Sequence, residues 1–393
     1  MLDKFAVEYG HRRKHQYHID RWVSFFITSR AKHIAFDFTS DINCFGSRFD
    51  KYMYVFPLRK LSGPNASVVK YLDLGYVWLK LPPSFGGMTN LKKLTLNMVS
   101  INGVDLQCLL RSCALLESIN IEWCSSFSSL HIRQELCRLQ CMRVRHCKLE
   151  IMELHAPNLK KIEFDDSLTQ IVLGECSKLS DATFVSNRRA SDFDDYGFNF
   201  TFTELPTALP HVQKLVILLN VDQMLRFSEN QITSFTNLRH MNMNFEIGWD
   251  PYDGSWAIGF VNLLQLSPLL EELELHMGRE RCFPPAMRTT AAAAQGPLHH
   301  HLKSVHISGF CDVLGLAELA LFYILENATT LNHMVVDPVA YGDSRHTDDI
   351  YSVSKASSTK GGHYYVRENR MFAEKSLGRE SSVISSLFCD IQC

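Results

Sequence analysis

The sequence predicts an α/β leucine-rich-repeat solenoid, right-handed, with a parallel β-sheet on its concave face and a convex face of strands and loops with few short helices. The main observation is a six-residue pattern, apolar-x-x-apolar-x-apolar, that occurs ten times in 393 residues. Its first five copies start 22, 25, 23 and 20 residues apart, within the roughly 20 to 29 residues typical of this repeat. The copies occupy residues 69–74, 91–96, 116–121, 139–144, 159–164, 212–217, 238–243, 270–275, 302–307 and 331–336.

Within each copy, apolar and variable residues alternate, as in a strand with one buried face. One such strand cannot bury its apolar face alone, so the units must stack into a continuous core. Cys124, Cys147 and Cys176 each stand three positions after the last apolar residue of such a pattern. A metal or redox site is one interpretation, but we predict a buried stacking position, which a small apolar thiol fits well.

A second copy of the apolar spacing lies between the main ones. It occurs at residues 127–132, 149–154 and 168–173, so that the pattern recurs roughly every 10 residues from Leu116 to Leu173. That interval leaves no room for a strand and a full helix, since a mean helix takes about 11 residues. We therefore predict flattened coils in this region, with extended segments on both faces.

The N-terminal region predicts a cap for the array. Residues 18–29 place Ile19, Trp22, Val23 and Phe26 at helical spacing, and residues 31–38 alternate as the first strand of the array should. Such a helix would cover the open apolar end of the solenoid, and a partner-binding helix is the alternative. Residues 39–67 are rich in turn residues and are predicted to be irregular, while residues 104–110 favour a short convex helix.

The periodicity is interrupted twice. Residues 187–200 are polar and Asp-rich, which predicts a surface insertion, and residues 278–301 are low in complexity, which predicts a mobile loop. The loop ends in three consecutive histidines, His299 to His301, and metal binding is one interpretation of them. Because adjacent residues on a strand point to opposite faces, we predict no metal site there.

The C-terminal part predicts a strand, a helix over residues 316–328 and a last strand, followed by a polar loop over 339–364 and a charged helix over 366–379. The predicted organisation is a capping helix and first strand (1–38), the first half of the array (39–184), an insertion (185–204), the second half (205–277), a low-complexity loop (278–300), a closing module (301–338) and a polar loop with a C-terminal helix (339–393).

Composition narrows the function classes. The net charge of −2 argues against nucleic-acid binding, which normally requires a basic face. Twelve cysteines without a C-x-x-C pair fit neither a zinc ribbon nor a small disulfide scaffold. The N-terminus does not resemble a signal peptide and no long apolar run predicts a membrane span, so cytosol or nucleus is expected. No catalytic, cofactor or metal motif is found, so we predict no enzyme activity, no cofactor and no metal.

The remaining prediction is recognition by the concave face. In each copy the residues flanking the last two apolar positions point away from the core. The predicted partner-binding residues are Lys93, Asn97, Asn120, Glu122, Arg143, Arg145, Lys161, Glu163, His240, Asn242, Glu272, Glu274, His276 and His306. Among them, Arg143, Arg145 and Lys161 are predicted to form a basic cluster that docks an acidic partner segment or a small anion; a solvated strand face is the alternative for each residue.

Several segments carry a family resemblance. Residues 22–38, 109–132, 154–164 and 202–217 resemble the leucine-rich region of grass-type plant F-box/LRR proteins, and residues 302–338 are similar to the FBD module that ends those proteins. The resemblance implies a substrate-recognition subunit of a Skp–cullin–F-box ubiquitin ligase, in which the repeats bind the target protein and an N-terminal F-box binds the Skp adaptor.

The start of the chain departs from that family. The residues before the first predicted helix do not match an F-box, so no residue of this chain is assigned an F-box role. The Skp-type adaptor and cullin are expected partners only if an F-box is supplied upstream. An F-box-less LRR binding module or pseudo-adaptor without a ligase role is the alternative. A small-molecule receptor is a third possibility, which a ligand-dependent thermal shift would test.

Overall fold

A computed structural model describes residues 2–9, 16–39, 53–61, 68–82, 85–86, 88–133, 136–165, 170–185, 204–221, 234–247, 264–279, 298–308, 324, 327–337 and 364–367. The chain forms two compact units, residues 1–185 (unit 1) and 186–393 (unit 2).

Unit 1 is built from a series of parallel strands. In chain order they are β1 (Lys4–Glu8), β2 (His33–Asp37), β3 (Tyr54–Phe56), β4 (Tyr71–Gly75), β5 (Val77–Leu79), β6 (Lys93–Asn97), β7 (Ser118–Glu122), β8 (Ser129–Arg133), β9 (Cys141–Arg145), β10 (Ile151–His155), β11 (Lys161–Asp165), β12 (Gln170–Gly174) and β13 (Asp181–Val185). The main sheet has the order β1-β2-β4-β6-β7-β9-β11-β13, and two smaller sheets have the orders β12-β10-β8 and β3-β5.

The main sheet follows directly from the repeat. In each copy of unit 1 the fourth and sixth residues are buried, as with Leu94 and Leu96 on β6, and the residue between them is half-exposed except at Glu163, which is buried. Neighbouring strands are in register, so Leu94 lies opposite Leu72 on β4 and Ile119 on β7. Equivalent residues of successive repeats therefore form straight rows across the sheet. The predicted LRR architecture with a parallel sheet is confirmed.

The predicted extended segments on the second face are also confirmed. Strands β8, β10 and β12 form a parallel three-stranded sheet in which Met152 lies opposite Leu130 and Ile171. Helices are few in unit 1. Its described residues form α1 (Gln16–Ser29), α2 (Gly103–Arg111) and a short 3-10 helix at Leu58–Leu61. The Asn102 side chain caps α2 by accepting a hydrogen bond from the Asp105 backbone N–H at 2.8 Å.

The three predicted stacking cysteines are buried. The thiol of Cys124 lies 3.8 Å from the Leu96 carbonyl of the preceding repeat, and the thiol of Cys147 lies 3.7 Å from that of Ile121. Cys176 makes the equivalent contact with the Leu154 carbonyl at 3.5 Å. Each thiol thus bridges neighbouring coils as a weak donor. The prediction of a buried stacking position is confirmed.

The N-terminal region differs from the prediction in one respect. Helix α1 forms and buries Ile19, Val23 and Phe26, but the first strand of the sheet is β1, which precedes the helix. The expectation that residues 31–38 form the first strand is wrong, because β1 pairs with β2 in parallel register. Strand β1 is only five residues long, and its apolar segment Phe5-Ala6-Val7 is flanked by the charged residues Lys4 and Glu8. A segment this short does not stand out in the sequence as a strand.

Residues 39–67 are not wholly irregular. They include β3, which pairs with β5 through Val55 opposite Trp78, and the 3-10 helix that buries Leu58 and Leu61. Tyr54 on β3 donates a hydrogen bond from its hydroxyl to the Asp20 carboxylate at 2.7 Å. That contact attaches the segment to α1.

Unit 2 continues the same repeat chemistry. Its strands are β14 (Lys214–Val221), β15 (His240–Ile247), β16 (Glu272–Arg279), β17 (Ser304–Ser308), β18 (His333–Asp337) and β19 (Tyr364–Arg367), preceded by the short helix α3 (Leu205–Ala208). They pair in that order, in parallel except for the antiparallel β18–β19 pair. The helix predicted to begin at residue 366 is wrong for Val366 and Arg367, which lie in β19 opposite Met334 and His333.

Several predicted segments lie outside the described residues. They are the insertion at 187–200, most of the low-complexity loop, residues 368–379 of the terminal helix, and all of the 316–328 helix except residues 324, 327 and 328. Ile324, which lies within the range of that predicted helix, is fully buried.

Candidate functional site

The alternate residues of each main-sheet strand in unit 1 form three rows that face away from the core. We call the rows of first, third and fifth strand residues the first, middle and last row. From β2 to β13 the first row is His33, Tyr71, Lys93, Ser118, Cys141, Lys161 and Asp181; the middle row is Ala35, Asp73, Thr95, Asn120, Arg143, Glu163 and Thr183; and the last row is Asp37, Gly75, Asn97, Glu122, Arg145, Asp165 and Val185.

An ion-pair network occupies the centre of this face. The Arg143 guanidinium donates from Nε to Glu163 at 2.9 Å and lies 3.5 Å from Glu122. Arg145 lies 3.4 Å from the same Glu163 carboxylate. Glu163 is 1% exposed and Arg145 3% exposed, whereas the Arg143 side chain remains about a third exposed. The network therefore joins three strands: Glu163 on β11 binds both arginines of β9, and Arg143 also reaches Glu122 on β7.

This network changes the interpretation of the predicted basic cluster. Arg143 is shared between two carboxylates and Arg145 is buried, so the structure does not present Arg143, Arg145 and Lys161 as one exposed positive group. The exposure expected from alternation is wrong for Arg145 and Glu163, because each packs against its ion-pair partner on the neighbouring strand. Lys161 is half-exposed on the first row.

Unit 2 presents a histidine-rich face. His240 Nδ1 lies 2.9 Å from the Glu272 carboxylate on the neighbouring strand, and the Asn242 amide donates to Glu274. His276 also faces this side but is buried, contrary to the exposure expected, because its Nδ1 contacts Ser308 Oγ at 2.7 Å and its ring packs edge-on against His306 at 5.4 Å.

The histidines of unit 2 affect the neighbouring acid. The His276 imidazole, whose Nε2 lies 3.6 Å from the Glu274 carboxylate, lowers the pKa of Glu274 from its ordinary value, with smaller contributions from Asn242 and His306, against an opposing effect of burial. Glu274 is thus held as the carboxylate. The remaining predicted residues of both units (Lys93, Asn97, Asn120, Glu122, His240, Asn242, Glu272, Glu274 and His306) are exposed or half-exposed.

Several polar atoms on the concave face of unit 1 are buried without a hydrogen-bond partner. Among the described residues, seven buried side-chain polar atoms lack one, and six of these belong to the middle and last rows: Asp73 Oδ1, Thr95 Oγ1, Asn97 Oδ1, Asn120 Oδ1, Arg145 Nε and Glu163 Oε1. Buried polar groups are normally satisfied. Their concentration on one face shows that the hydrogen-bonding capacity of this face is not fully used within the chain.

Sequence reasoning missed two features of unit 1. Lysines occupy the position immediately before strands β2, β4, β6 and β11, at Lys32, Lys70, Lys92 and Lys160. The second feature is Trp123, which follows β7, is 42% exposed and stacks on His146 at 4.0 Å. The sequence could have revealed the lysines. Lys70, Lys92 and Lys160 each follow the first apolar residue of a pattern copy, and Lys32 follows Ala31 just before β2.

No group of three or more His, Cys, Asp or Glu side chains in the described ranges is arranged to hold a metal ion. His299 is buried, and burial lowers the pKa of its imidazole, while His300 and His301 are exposed. Among the described helices, none is long and apolar enough to cross a membrane.

Comparison with known proteins gives the family. The family model described as "At1g61320/AtMIF1, LRR domain" matches residues 3–370. Similar Arabidopsis thaliana proteins include F-box/LRR-repeat protein At3g03360, 24% identical over 68% of this chain and 54% of its own length, and F-box/LRR-repeat protein At4g14096, 26% identical over 64% and 55%. A third Arabidopsis thaliana relative, "Putative F-box/LRR-repeat protein At5g02930", is 27% identical over 53% of this chain and 46% of its own length. The chain spans about half the length of these relatives, and it belongs to the At1g61320/AtMIF1 leucine-rich-repeat domain family.

Proposed function

We propose that this chain is a protein-recognition module whose concave strand rows bind a target protein. The observation that carries the proposal is a set of four buried polar atoms without a hydrogen-bond partner that lie outside the ion-pair network on the middle and last rows of unit 1: Asp73 Oδ1, Thr95 Oγ1, Asn97 Oδ1 and Asn120 Oδ1. A partner that supplies N–H donors to Asp73, Thr95, Asn97 and Asn120 would complete their hydrogen bonds. A parallel sheet in register holds these groups at fixed spacings, which is the preorganisation that a recognition surface needs.

The recognition proposal is tested by site-specific photo-crosslinking. The photoreactive residue p-benzoylphenylalanine would replace Tyr71 on the first row, which is 39% exposed, and Trp78 on β5, which is 44% exposed and lies outside the main sheet. Both are aromatic positions of similar exposure, so they form a matched pair. After irradiation in plant cell extract, we expect protein adducts at position 71 and few at position 78. Equal adduct formation at the two positions would overturn the proposal.

We further propose that the recognised protein is a substrate of a Skp–cullin–F-box ubiquitin ligase in the cytosol or nucleus. The support is the F-box/LRR description of the relatives, which extend beyond the matched region. The closing module at 301–338 is proposed to be FBD-like, with β17 and β18 as its paired strands. In this proposal the repeats select the target, and an F-box supplied outside the matched region contacts the adaptor.

Co-purification with a Skp-type adaptor tests the ligase link. The 393-residue chain would be co-expressed with a plant adaptor and its folded state checked by circular dichroism. A stoichiometric complex would show that these residues contact the adaptor directly. A folded chain that fails to bind would refute direct contact and leave the recognition proposal to the crosslinking result.

A further inference from the structure

One edge of the main sheet of unit 1 is rich in lysine. We define the lysine edge as the residue before each strand and the first residue of each strand, from β2 to β13. Across these positions stand six lysines and two carboxylates: Lys32, Lys70, Lys92, Lys93, Lys160 and Lys161 against Glu117 and Asp181. The last row, at the other end of the same strands, has three carboxylates and one arginine: Asp37, Glu122, Asp165 and Arg145.

Half of these lysines are not neutralised by the described residues. Lys92 pairs with Glu117 at 2.7 Å, and Lys32 pairs with the exposed Asp3 at 2.9 Å. Lys70, Lys93 and Lys160 are exposed and form no ion pair within the described part of the chain. Lys70 also interacts electrostatically with Asp3, which is already paired with Lys32, so net positive charge remains at the starts of β4, β6 and β11.

The equivalent edge of unit 2 shows that a repeat array does not have to leave such charge. There the position before the strand is occupied by Arg239, Glu271 and Lys303 on β15, β16 and β17. Glu271 accepts from Lys303 at 2.7 Å and also pairs with Arg239, and these bonds lower its pKa. Along that row one carboxylate is shared by two cations, whereas six lysines face only two carboxylates along the lysine edge of unit 1.

The geometry of the sheet separates the lysine edge from the acidic last row and sets the length of the edge. First and last rows are four residues apart, about 13 Å at roughly 3.3 Å per residue, which exceeds a Debye length of about 8 Å at physiological salt. An anion at the lysine edge is thus attracted by the lysines and largely screened from the acidic last row. From Lys70 to Lys160 the row crosses four strand spacings, about 19 Å at roughly 4.8 Å each, or about six residues of extended chain.

We propose that the lysine edge docks an acidic segment of the partner protein, running across the strands from β4 to β11. The inference rests on the proposed function, because it takes the partner to be a protein. A nucleic acid is disfavoured by the geometry, since a duplex carries charge on all sides and would also meet the acidic last row. The segment should be extended and carry at least three carboxylates spaced to reach Lys70, Lys93 and Lys160.

Fluorescence anisotropy with a defined probe tests the docking. The probe is a fluorescein-labelled dodecapeptide of alternating Glu and Ser, titrated with the full chain at about 50 mM salt, where screening is weak. The test variant is Lys70→Glu/Lys93→Glu. The control variant is Lys80→Glu/Lys148→Glu, which changes net charge equally at two exposed lysines outside the main sheet. We expect the test variant to bind about tenfold more weakly and the control variant less than about twofold more weakly, as pairs of surface charges would give.

Three results would overturn the proposal. They are a folded wild-type chain that does not bind the Glu/Ser peptide, equal weakening by both variants, and a single-stranded RNA dodecamer that binds more tightly than the peptide with the same lysine dependence. Repeating the photo-crosslinking at position 71 in the Lys70→Glu/Lys93→Glu chain separates the two proposals. Undiminished adducts would refute the lysine edge and leave recognition standing, while the absence of adducts in the wild-type chain would refute recognition itself.

Discussion

Replacing Glu163 by Ala should destabilise unit 1 by about 3–5 kcal/mol, the cost of breaking a buried ion pair on one side. Glu163 is 1% exposed and holds both Arg143 and Arg145. After the substitution Arg143 keeps Glu122 at 3.5 Å and its access to solvent. Arg145 is 3% exposed and its Nε already has no partner, so it would become a buried charge without a carboxylate. The cost comes from that cation more than from the lost hydrogen bond.

Two further variants identify the cause. The double variant Arg145→Met/Glu163→Leu removes both buried charges and keeps their volume, so it should cost no more than about 1–2 kcal/mol. Glu122→Ala removes a longer, partly exposed contact to Arg143, so it should cost less than about 1 kcal/mol.

Thermal unfolding followed by near-ultraviolet circular dichroism of the aromatic side chains would measure these differences. For a unit of this size, 3–5 kcal/mol corresponds to a fall in Tm of about 6–20 °C. The reasoning would be refuted if Glu163→Ala lost less than about 1 kcal/mol, or if the double variant were as unstable as the single one.

Three other outcomes follow from particular contacts. When the native chain is treated with a maleimide reagent and its peptides are mapped, the exposed Cys108, Cys137 and Cys141 should react, whereas Cys113 and Cys147 should not. Burial raises the pKa of Cys113 to about 11, and the hydrogen bond with Cys124 together with burial raises the pKa of Cys147. Equal labelling of the two groups would contradict this expectation. Gly75→Ala should lower stability by about 1–3 kcal/mol, because its Cβ would lie 2.5 Å from Asp37 Oδ1, whereas Gly86→Ala, with nothing within 4 Å, should be nearly neutral; equal losses would contradict this. Because the folded-state pKa of Glu274 is lowered, its contribution to stability is complete above its ordinary pKa of 4.5 and is lost as pH falls through the lowered value. The Tm difference between wild type and Glu274→Gln should therefore shrink below about pH 4.5, and a difference independent of pH would contradict the assignment.

The repeat made the fold predictable because its signal is redundant. Each copy places two apolar residues on one face, and ten copies at similar spacing leave one architecture that buries them all. The second pattern at about 10-residue intervals predicted the outer strands β8, β10 and β12 because the interval excludes a helix. Strand β1 was missed for the opposite reason. It is a single short element without a preceding copy, and its pairing with β2 crosses the whole of α1.

The candidate site was less predictable, because alternation gives the direction of a side chain and not its environment. The rule correctly placed Arg145 and Glu163 on the face opposite the core. It could not show that one carboxylate would lie within reach of two arginines on the adjacent strand and bury one of them. Likewise, His276 contacts Ser308 only because β16 and β17 are in register, and no local pattern reveals register between residues 32 positions apart.

The lysine edge shows how a minor sequence preference becomes a surface property in a repeat protein. A lysine at the second position of a copy is unremarkable alone, since exposed lysines are common. Parallel register places the same position of successive copies about 4.8 Å apart, so Lys70 and Lys92 become neighbours although 22 residues separate them. At the corresponding position in unit 2, Arg239 and Lys303 share the carboxylate of Glu271, which offsets part of their positive charge. The charge of the row thus depends on which residues occupy that position in successive copies, and replacing Glu271 by Lys should turn a partly neutralised row into a second strongly positive edge. If Glu271→Lys left the affinity for the Glu/Ser peptide unchanged, row charge alone would be insufficient for docking, and the attraction in unit 1 would have to depend on its additional first-row lysines, Lys93 and Lys161.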